Sequence, residues 1–157
     1  MTNYLYPERG HDYDFSYDYE KENVPHDSQI LLQDIITDVR DILPLLGIFK
    51  DFTCEFIKTE KKIHKNILGL YIDGTTSHPY IGLFLKSITA ATQRCHVDLQ
   101  DTIETTIVHE LGHAVQDALG LERQSKKAEN QAEDLAFHWW KYREISPQFK
   151  KILENNP

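Results

Sequence analysis

The feature that most constrains this chain is an apolar run that carries two histidines four residues apart. Residues 105–116 read Thr-Thr-Ile-Val-His-Glu-Leu-Gly-His-Ala-Val-Gln, so His109, Glu110 and His113 form the pattern H-E-x-x-H. On an α-helix such histidines lie one turn apart on one face, where both imidazoles can reach one metal ion. Glu110 lies beside them and can take a proton from a water molecule on that ion. The spacing therefore predicts a helical zinc site of the catalytic kind.

The residues around the motif predict an amphipathic helix over about 102–119. Asp101 is the expected N-cap, with Glu104 three residues later to complete a capping box, and Gly120 is the expected stop. A histidine half-buried on such a helix is costly unless it is paired or bound to metal. The apolar residues that recur at helical spacing are Ile103, Ile107, Leu111, Ala114, Val115 and Ala118.

Length, charge and cysteine content restrict the number of domains, the class of partner and the compartment. The 157 residues suit one domain, which we assign to residues 28–157. The 17 basic and 25 acidic residues give a formal net charge of −8, which disfavours nucleic acid or an anionic membrane as a partner. Two isolated cysteines, Cys54 and Cys95, fit a reducing compartment. With no secretory signal and no apolar stretch of membrane-spanning length, we expect a cytoplasmic protein.

Residues 1–27 differ from the rest of the chain and form an acidic, tyrosine-rich N-terminal extension. They contain five tyrosines and seven acidic residues, against two basic residues. Within them, residues 11–20 alternate strictly, with aromatic side chains on one side. This composition favours a flexible tail or a strand that binds a protein partner. A segment that lies in the active-site cleft and blocks it is the third interpretation.

The other predicted elements alternate in type along the chain. An amphipathic helix begins at about Ser28 and is ended by Pro44 and Gly47. A third helix covers about 128–143, and Pro147 precedes a short C-terminal helix. Runs rich in β-formers predict three strands and a candidate fourth, at 52–58, 67–72, 80–88 and 94–98.

A catalytic zinc ion takes three protein ligands and keeps one position open for water, so the two histidines need a third partner. Glu129 and Glu133 are four residues apart and share one face of the predicted third helix. One of them could bind the metal while the other accepts a hydrogen bond from a ligand histidine, which fixes its tautomer and orientation. Asp134 points to a different face of that helix.

The two segments together resemble a known family. His109-Glu-Leu-Gly-His113 followed by Glu129-x-x-Ala-Glu133-x-x-Ala136 resembles the gluzincin pattern, which is H-E-x-x-H and then E-x-x-A followed by D, N or E. Over about residues 103–137 the chain is similar to small metallopeptidase-like domains of the ImmA/IrrE type and to minimal zincins of phages and bacteria.

The resemblance implies a role for each matching residue. His109, His113 and Glu129 would be the zinc ligands, Glu110 the general base, and Glu133 the acid that supports a ligand. The gap between His113 and Glu129 is short. If the return loop is too tight for Glu129, Glu133 becomes the ligand instead.

We expect an α+β, zincin-like fold. It would consist of an N-terminal helix, a small mixed sheet of three or four strands, the motif helix and a following ligand helix. The cleft should lie between the sheet edge and the motif helix. The strand at 80–88 would pair with the substrate backbone if it forms that edge, and otherwise it is a core strand.

The function implied is a small zinc-dependent metallopeptidase that acts on a peptide or protein substrate. His138 and Tyr142 share a helix face and could donate to the oxyanion, although packing or surface exposure is the favoured explanation of both. The alternative is a zincin-fold regulatory or protein-binding module, because ImmA-like domains are often regulators of one partner protein. A third interpretation is a structural zinc site in which Glu110 makes only a salt bridge.

Overall fold

The computed structural model describes residues 21–48, 51–58, 67–72, 79–122 and 125–155. The strands are β1 (Thr53–Phe56), β2 (Gly69–Ile72) and β3 (Tyr80–Leu83). The chain is therefore α+β, as predicted. The alternating segment 11–20 lies outside the described residues. The helices are α1 (His26–Val39), α2 (Leu85–Cys95), α3 (Leu99–Ala118), α4 (Lys126–Tyr142) and α5 (Pro147–Asn155).

The three strands form a mixed sheet in the order β1-β3-β2. β3 pairs in parallel with β1, with Thr53 opposite Tyr80, and antiparallel with β2, with Gly69 opposite Leu83. The prediction of a small mixed sheet is thus confirmed with three strands. Because β3 is the central strand, it cannot present an edge to a substrate, and the core-strand interpretation of residues 80–83 is the correct one.

The second half of the predicted strand at 80–88 is instead helical. β3 ends at Leu83, and α2 occupies Leu85–Cys95, which also removes the candidate fourth strand at 94–98. Ile88 and Ala91 are three residues apart and both are buried, the spacing of one helix face. His96 ends α2 in the left-handed conformation, with φ of 55°. The sequence prediction was wrong here because a short apolar run with β-branched residues does not distinguish a strand from a buried helix.

The motif helix α3 lies at the centre of the molecule. It contacts α1, α2, α4, β2 and β3. Its residues 102–116 are buried except Thr105, which makes it a core helix rather than a one-sided surface helix. None of the described helices combines the length and the apolar character needed to cross a bilayer.

The start of α3 differs from the predicted capping box. The helix begins at Leu99 with Asp98 as its N-cap residue, so Asp101 lies in the first turn instead. Glu104 does not fold back on the helix start. It is buried at 3% exposure and forms an ion pair with Arg143, the residue that follows α4. This pair joins the beginning of α3 to the end of α4.

The first helix also begins earlier than predicted. α1 starts at His26, inside the segment assigned to the N-terminal extension, and ends at Val39. Two 3-10 turns, Arg40–Ile42 and Pro44–Leu46, follow it, and Gly47 closes them with φ of 76°. Lys21 forms an antiparallel bridge with Ile57, so residue 21 already contacts the sheet.

We expect replacement of Arg143 by methionine to lower the free energy of unfolding by roughly 1–3 kcal/mol, because it leaves the carboxylate of Glu104 buried without its cation. Glu104→Gln should cost less, since the Arg143 side chain is 51% exposed and stays hydrated without its partner. Denaturant unfolding of both variants measures the two costs. Equal costs, or a larger cost for Glu104→Gln, would contradict this account of the pair.

Candidate metal centre

α3 places the two motif histidines side by side in the interior. His109 and His113 are 0% and 1% exposed, and their ring centroids are 4.8 Å apart. Their Nε2 atoms face each other at 3.1 Å. Two ring nitrogens directed at each other can share a cation, or one can donate its proton to the other, according to the tautomers of the two rings.

The following helix brings a carboxylate to the same point. Ser125 caps α4 by accepting a hydrogen bond from the backbone N–H of Ala128, and this starts the helix early enough for its first turn to carry Glu129. Glu129 Oε1 is 2.7 Å from His113 Nε2, and Glu129 Oε2 is 3.4 Å from His109 Nε2. The return after Gly120 is therefore long enough for Glu129 to reach both histidines.

The second candidate acid lies on the other side of His109. Glu133 Oε1 is 3.8 Å from His109 Nδ1, the ring nitrogen that faces away from the cluster. This is the side from which an acid orients a ligand histidine rather than the side from which it binds the metal. The structure thus gives the two glutamates different places, with Glu129 inside the cluster and Glu133 behind it.

Small residues allow α3 and α4 to approach closely enough for this arrangement. A Cβ atom on Gly112 would lie 3.2 Å from Ala132 Cβ and 3.3 Å from Leu135 Cδ2. Ala132 is itself fully buried. The glycine between the two histidines therefore has a packing role, because it sets the distance between the helix with the histidines and the helix with Glu129.

Gly112→Val should therefore push α4 away from α3. We expect the free energy of unfolding to fall by roughly 1–3 kcal/mol from overpacking, and metal affinity to fall with it because Glu129 moves. Ala118→Val, at an exposed position of the same helix, is the matched control and should change stability by no more than about 0.5 kcal/mol. Chemical unfolding and metal titration of both variants test this, and a Gly112→Val chain as stable as the parent would contradict the packing role.

Three potential metal-ligand atoms lie close together at this centre. His109, His113 and Glu129 each offer one atom, and these atoms lie within 4.8 Å of one another. Ligand bonds of 2.0–2.1 Å in tetrahedral zinc sites place neighbouring ligand atoms about 3.3 Å apart. The separations here are 3.1 Å between the histidines, 3.4 Å between His109 and Glu129, and a shorter 2.7 Å between His113 and Glu129. Calcium and magnesium prefer all-oxygen sites, whereas imidazole suits zinc, copper, iron and nickel. The three residues therefore lie close enough to bind one metal ion.

Glu110 and Cys54 are the other reactive groups of this region. Glu110 follows His109 on α3 and is fully buried. The thiol of Cys54 is buried too, and burial raises its pKa, with the nearby carboxylates of Glu55 and Glu110 raising it further. The raised pKa favours the neutral thiol of Cys54 at neutral pH.

Sequence reasoning missed one residue of this site. Gln116 is fully buried, and its Oε1 is 2.8 Å from Nδ1 of His113. The contact with His113 could have been predicted, because residue 116 lies three positions after His113 on the same helix, a spacing at which side chains meet. Nothing local indicated that Gln116 also contacts α4.

His138 and Tyr142, the candidates for an oxyanion role, lie outside the cluster of ligand residues. The His138 ring packs against Tyr142, with centroids 4.7 Å apart, and His138 Nε2 is 3.9 Å from Glu144 Oε1. His138 is nine residues beyond Glu129 on α4, which is about 13 Å along the helix axis. The structure does not bring His138 or Tyr142 into the cluster.

The centre thus consists of two buried imidazoles and one carboxylate around a common point, with a second glutamate and a glutamine on the outer nitrogens of the rings. Among the described residues, it is the one group of three or more histidine, cysteine, aspartate or glutamate side chains whose ligand atoms are close enough to hold one metal ion. Comparisons of this chain with protein-family models, with curated proteins and with solved structures found no match.

Proposed function

We propose that this chain is a zinc-dependent peptidase with a zincin-like fold, in which His109, His113 and Glu129 hold the metal and Glu110 is the general base. One observation carries the proposal. Three ligand atoms of types that zinc accepts lie within 4.8 Å of one another, and Glu110 follows the first histidine in the H-E-x-x-H order typical of a water-activating base.

The number of ligands supports a catalytic rather than a structural site. Structural zinc sites are closed by four protein ligands, whereas catalytic sites have three and leave a position for water or substrate. Within the described part of the chain, the group has three members. Glu129 keeps 15% of its side chain exposed, although both of its carboxylate oxygens are buried.

The proposed chemistry is hydrolysis of an amide bond. A zinc ion supplies a water of lowered pKa and polarises the substrate carbonyl. Glu110 would accept a proton from the attacking water as its oxygen bonds to the carbonyl carbon. It would return that proton to the leaving nitrogen as the carbon–nitrogen bond breaks, so that one water is consumed for each peptide bond cleaved.

The substrate class is inferred from the resemblance of the motifs and from this reaction type. We propose a peptide or protein substrate, with no nucleic acid or membrane partner. The cytoplasm is the proposed location, because Cys54 and Cys95 are both free thiols, as expected in a reducing compartment. Binding of a protein partner by the N-terminal extension, residues 1–27, is part of this proposal.

The direct test is hydrolysis of a fluorogenic peptide library by the zinc-loaded chain. We expect cleavage that a chelator abolishes and added zinc restores. Zinc binding without cleavage of any peptide would overturn the peptidase proposal and favour the regulatory module. In that module the same centre would stabilise the structure of a protein-binding surface. Absence of zinc binding would overturn both.

A further inference from the structure

Gln116 is a fully buried residue of α3 that also contacts α4. Its Oε1 lies 2.8 Å from His113 Nδ1. Its Nε2 donates to the backbone carbonyl of Ala128 at 3.0 Å and to Oε1 of Gln131 at 3.1 Å. Every polar atom of this buried side chain therefore has a partner, which is the condition for a polar group to be tolerated in a core.

The network determines which way round the Gln116 amide lies. The carbonyl oxygen of Ala128 can only accept a hydrogen bond, so the amide NH₂ must face it. The oxygen of Gln116 must then face His113. Because that oxygen can only accept, Nδ1 of His113 must carry the proton and donate it.

The consequence for His113 follows from its two ring nitrogens. A neutral imidazole with its proton on Nδ1 has its lone pair on Nε2. Nε2 is the atom that faces His109 at 3.1 Å and Glu129 at 2.7 Å. The hydrogen bond to Gln116 thus selects the tautomer in which His113 presents a ligand atom to the centre.

The same side chain also holds the helix that carries the third ligand. Ala128, whose carbonyl accepts from Gln116, immediately precedes Glu129 in the first turn of α4. Gln116 therefore links Nδ1 of one ligand to the backbone beside another, across the contact between α3 and α4.

We propose that Gln116 is a positioning residue that fixes His113 with Nε2 directed at the metal and holds Glu129 in register with it. The inference rests on the proposed metal site. It goes beyond that site because it explains the positions of His113 and Glu129 by one neutral side chain that binds neither metal nor substrate.

The test is zinc affinity, measured by competition with a chromogenic chelator, for the parent chain and for Gln116→Met. Methionine has a similar volume, so a role in packing alone would be preserved, whereas both hydrogen-bonding functions are lost. Loss of a partner that orients a metal ligand should weaken zinc binding about 10–100-fold. Gln131→Leu is the matched control, since it removes one acceptor of the amide and leaves the contact with Nδ1. It should bind zinc nearly as tightly as the parent.

A second measurement uses the parent chain and does not depend on the variant's folding. In the zinc-loaded chain labelled with ¹⁵N-histidine, long-range NMR correlations should show His113 with a slowly exchanging proton on Nδ1. A proton on Nε2 instead would overturn the inference. Equal zinc affinity of the parent and a folded Gln116→Met would also overturn it while leaving the metal site intact. A parent chain that binds no zinc would overturn the proposed function together with this inference.

Discussion

Glu110→Gln should bind zinc as tightly as the parent chain and lose about 10²–10⁴-fold in the rate of peptide hydrolysis, the usual contribution of a positioned general base. Glutamine has nearly the same shape as glutamate and can occupy the same buried place on α3. It has no basic oxygen with which to take a proton from water. The metal ligands are unchanged, so binding and chemistry should separate in this one variant.

The measurement is the rate of cleavage of whichever library peptide the parent cleaves best, with zinc content determined on the same samples. Asp101→Asn is the control, because it removes a carboxylate from the first turn of the same helix, away from the histidines. It should keep the parent's rate. If Glu110→Gln hydrolysed the peptide at the parent's rate, Glu110 would not be the base.

The second large effect distinguishes the two glutamates of α4. Glu129→Ala should cost far more zinc affinity than Glu133→Ala, because Glu129 lies 2.7 Å from His113 Nε2 inside the cluster. Glu133 lies outside the cluster, with Oε1 3.8 Å from the outer nitrogen of His109, which is beyond hydrogen-bond distance. Loss of Glu133 should weaken binding by no more than the roughly 10–100-fold typical of residues that orient a ligand, whereas loss of Glu129 removes a ligand outright and should exceed that range.

Zinc titration of the two variants, beside Asn130→Ala, measures this difference. Asn130 is exposed on the same turn of α4, so its variant controls for local effects on the helix. The opposite order, with Glu133→Ala the more damaging, would show that Glu133 is the ligand and that the arrangement around His109 is reversed in the metal-bound protein.

The sequence allowed the centre to be predicted because its signals are local. The spacing of His109 and His113 depends only on the helical repeat, and so does the shared face of Glu129 and Glu133. The apolar pattern around them required a helix and excluded a strand. For these four residues, the distance between α3 and α4 is the one feature that the local patterns do not predict.

The remaining features depend on contacts between distant parts of the chain. Which strand is central in the order β1-β3-β2 is decided by pairing across long loops, which the pattern of a single strand does not encode. Residues 85–88 were predicted as the end of the strand at 80–88, because its apolar run continues to the β-branched Ile88, yet they begin α2, in which Ile88 and Ala91 are buried. The pairing of Glu104 with Arg143 and the contact of Gln116 with Ala128 likewise depend on how α3 and α4 cross.

The most direct test of the central claim is the metal content of the purified chain, measured by mass spectrometry without chelator, beside Glu110→Gln and His113→Ala. We predict about one zinc ion per chain in the parent, as a single three-ligand site requires, with zinc retained in Glu110→Gln and lost in His113→Ala. Zinc bound equally well by His113→Ala, or no metal in the parent even after zinc is added, would contradict the claim that these residues form a metal centre.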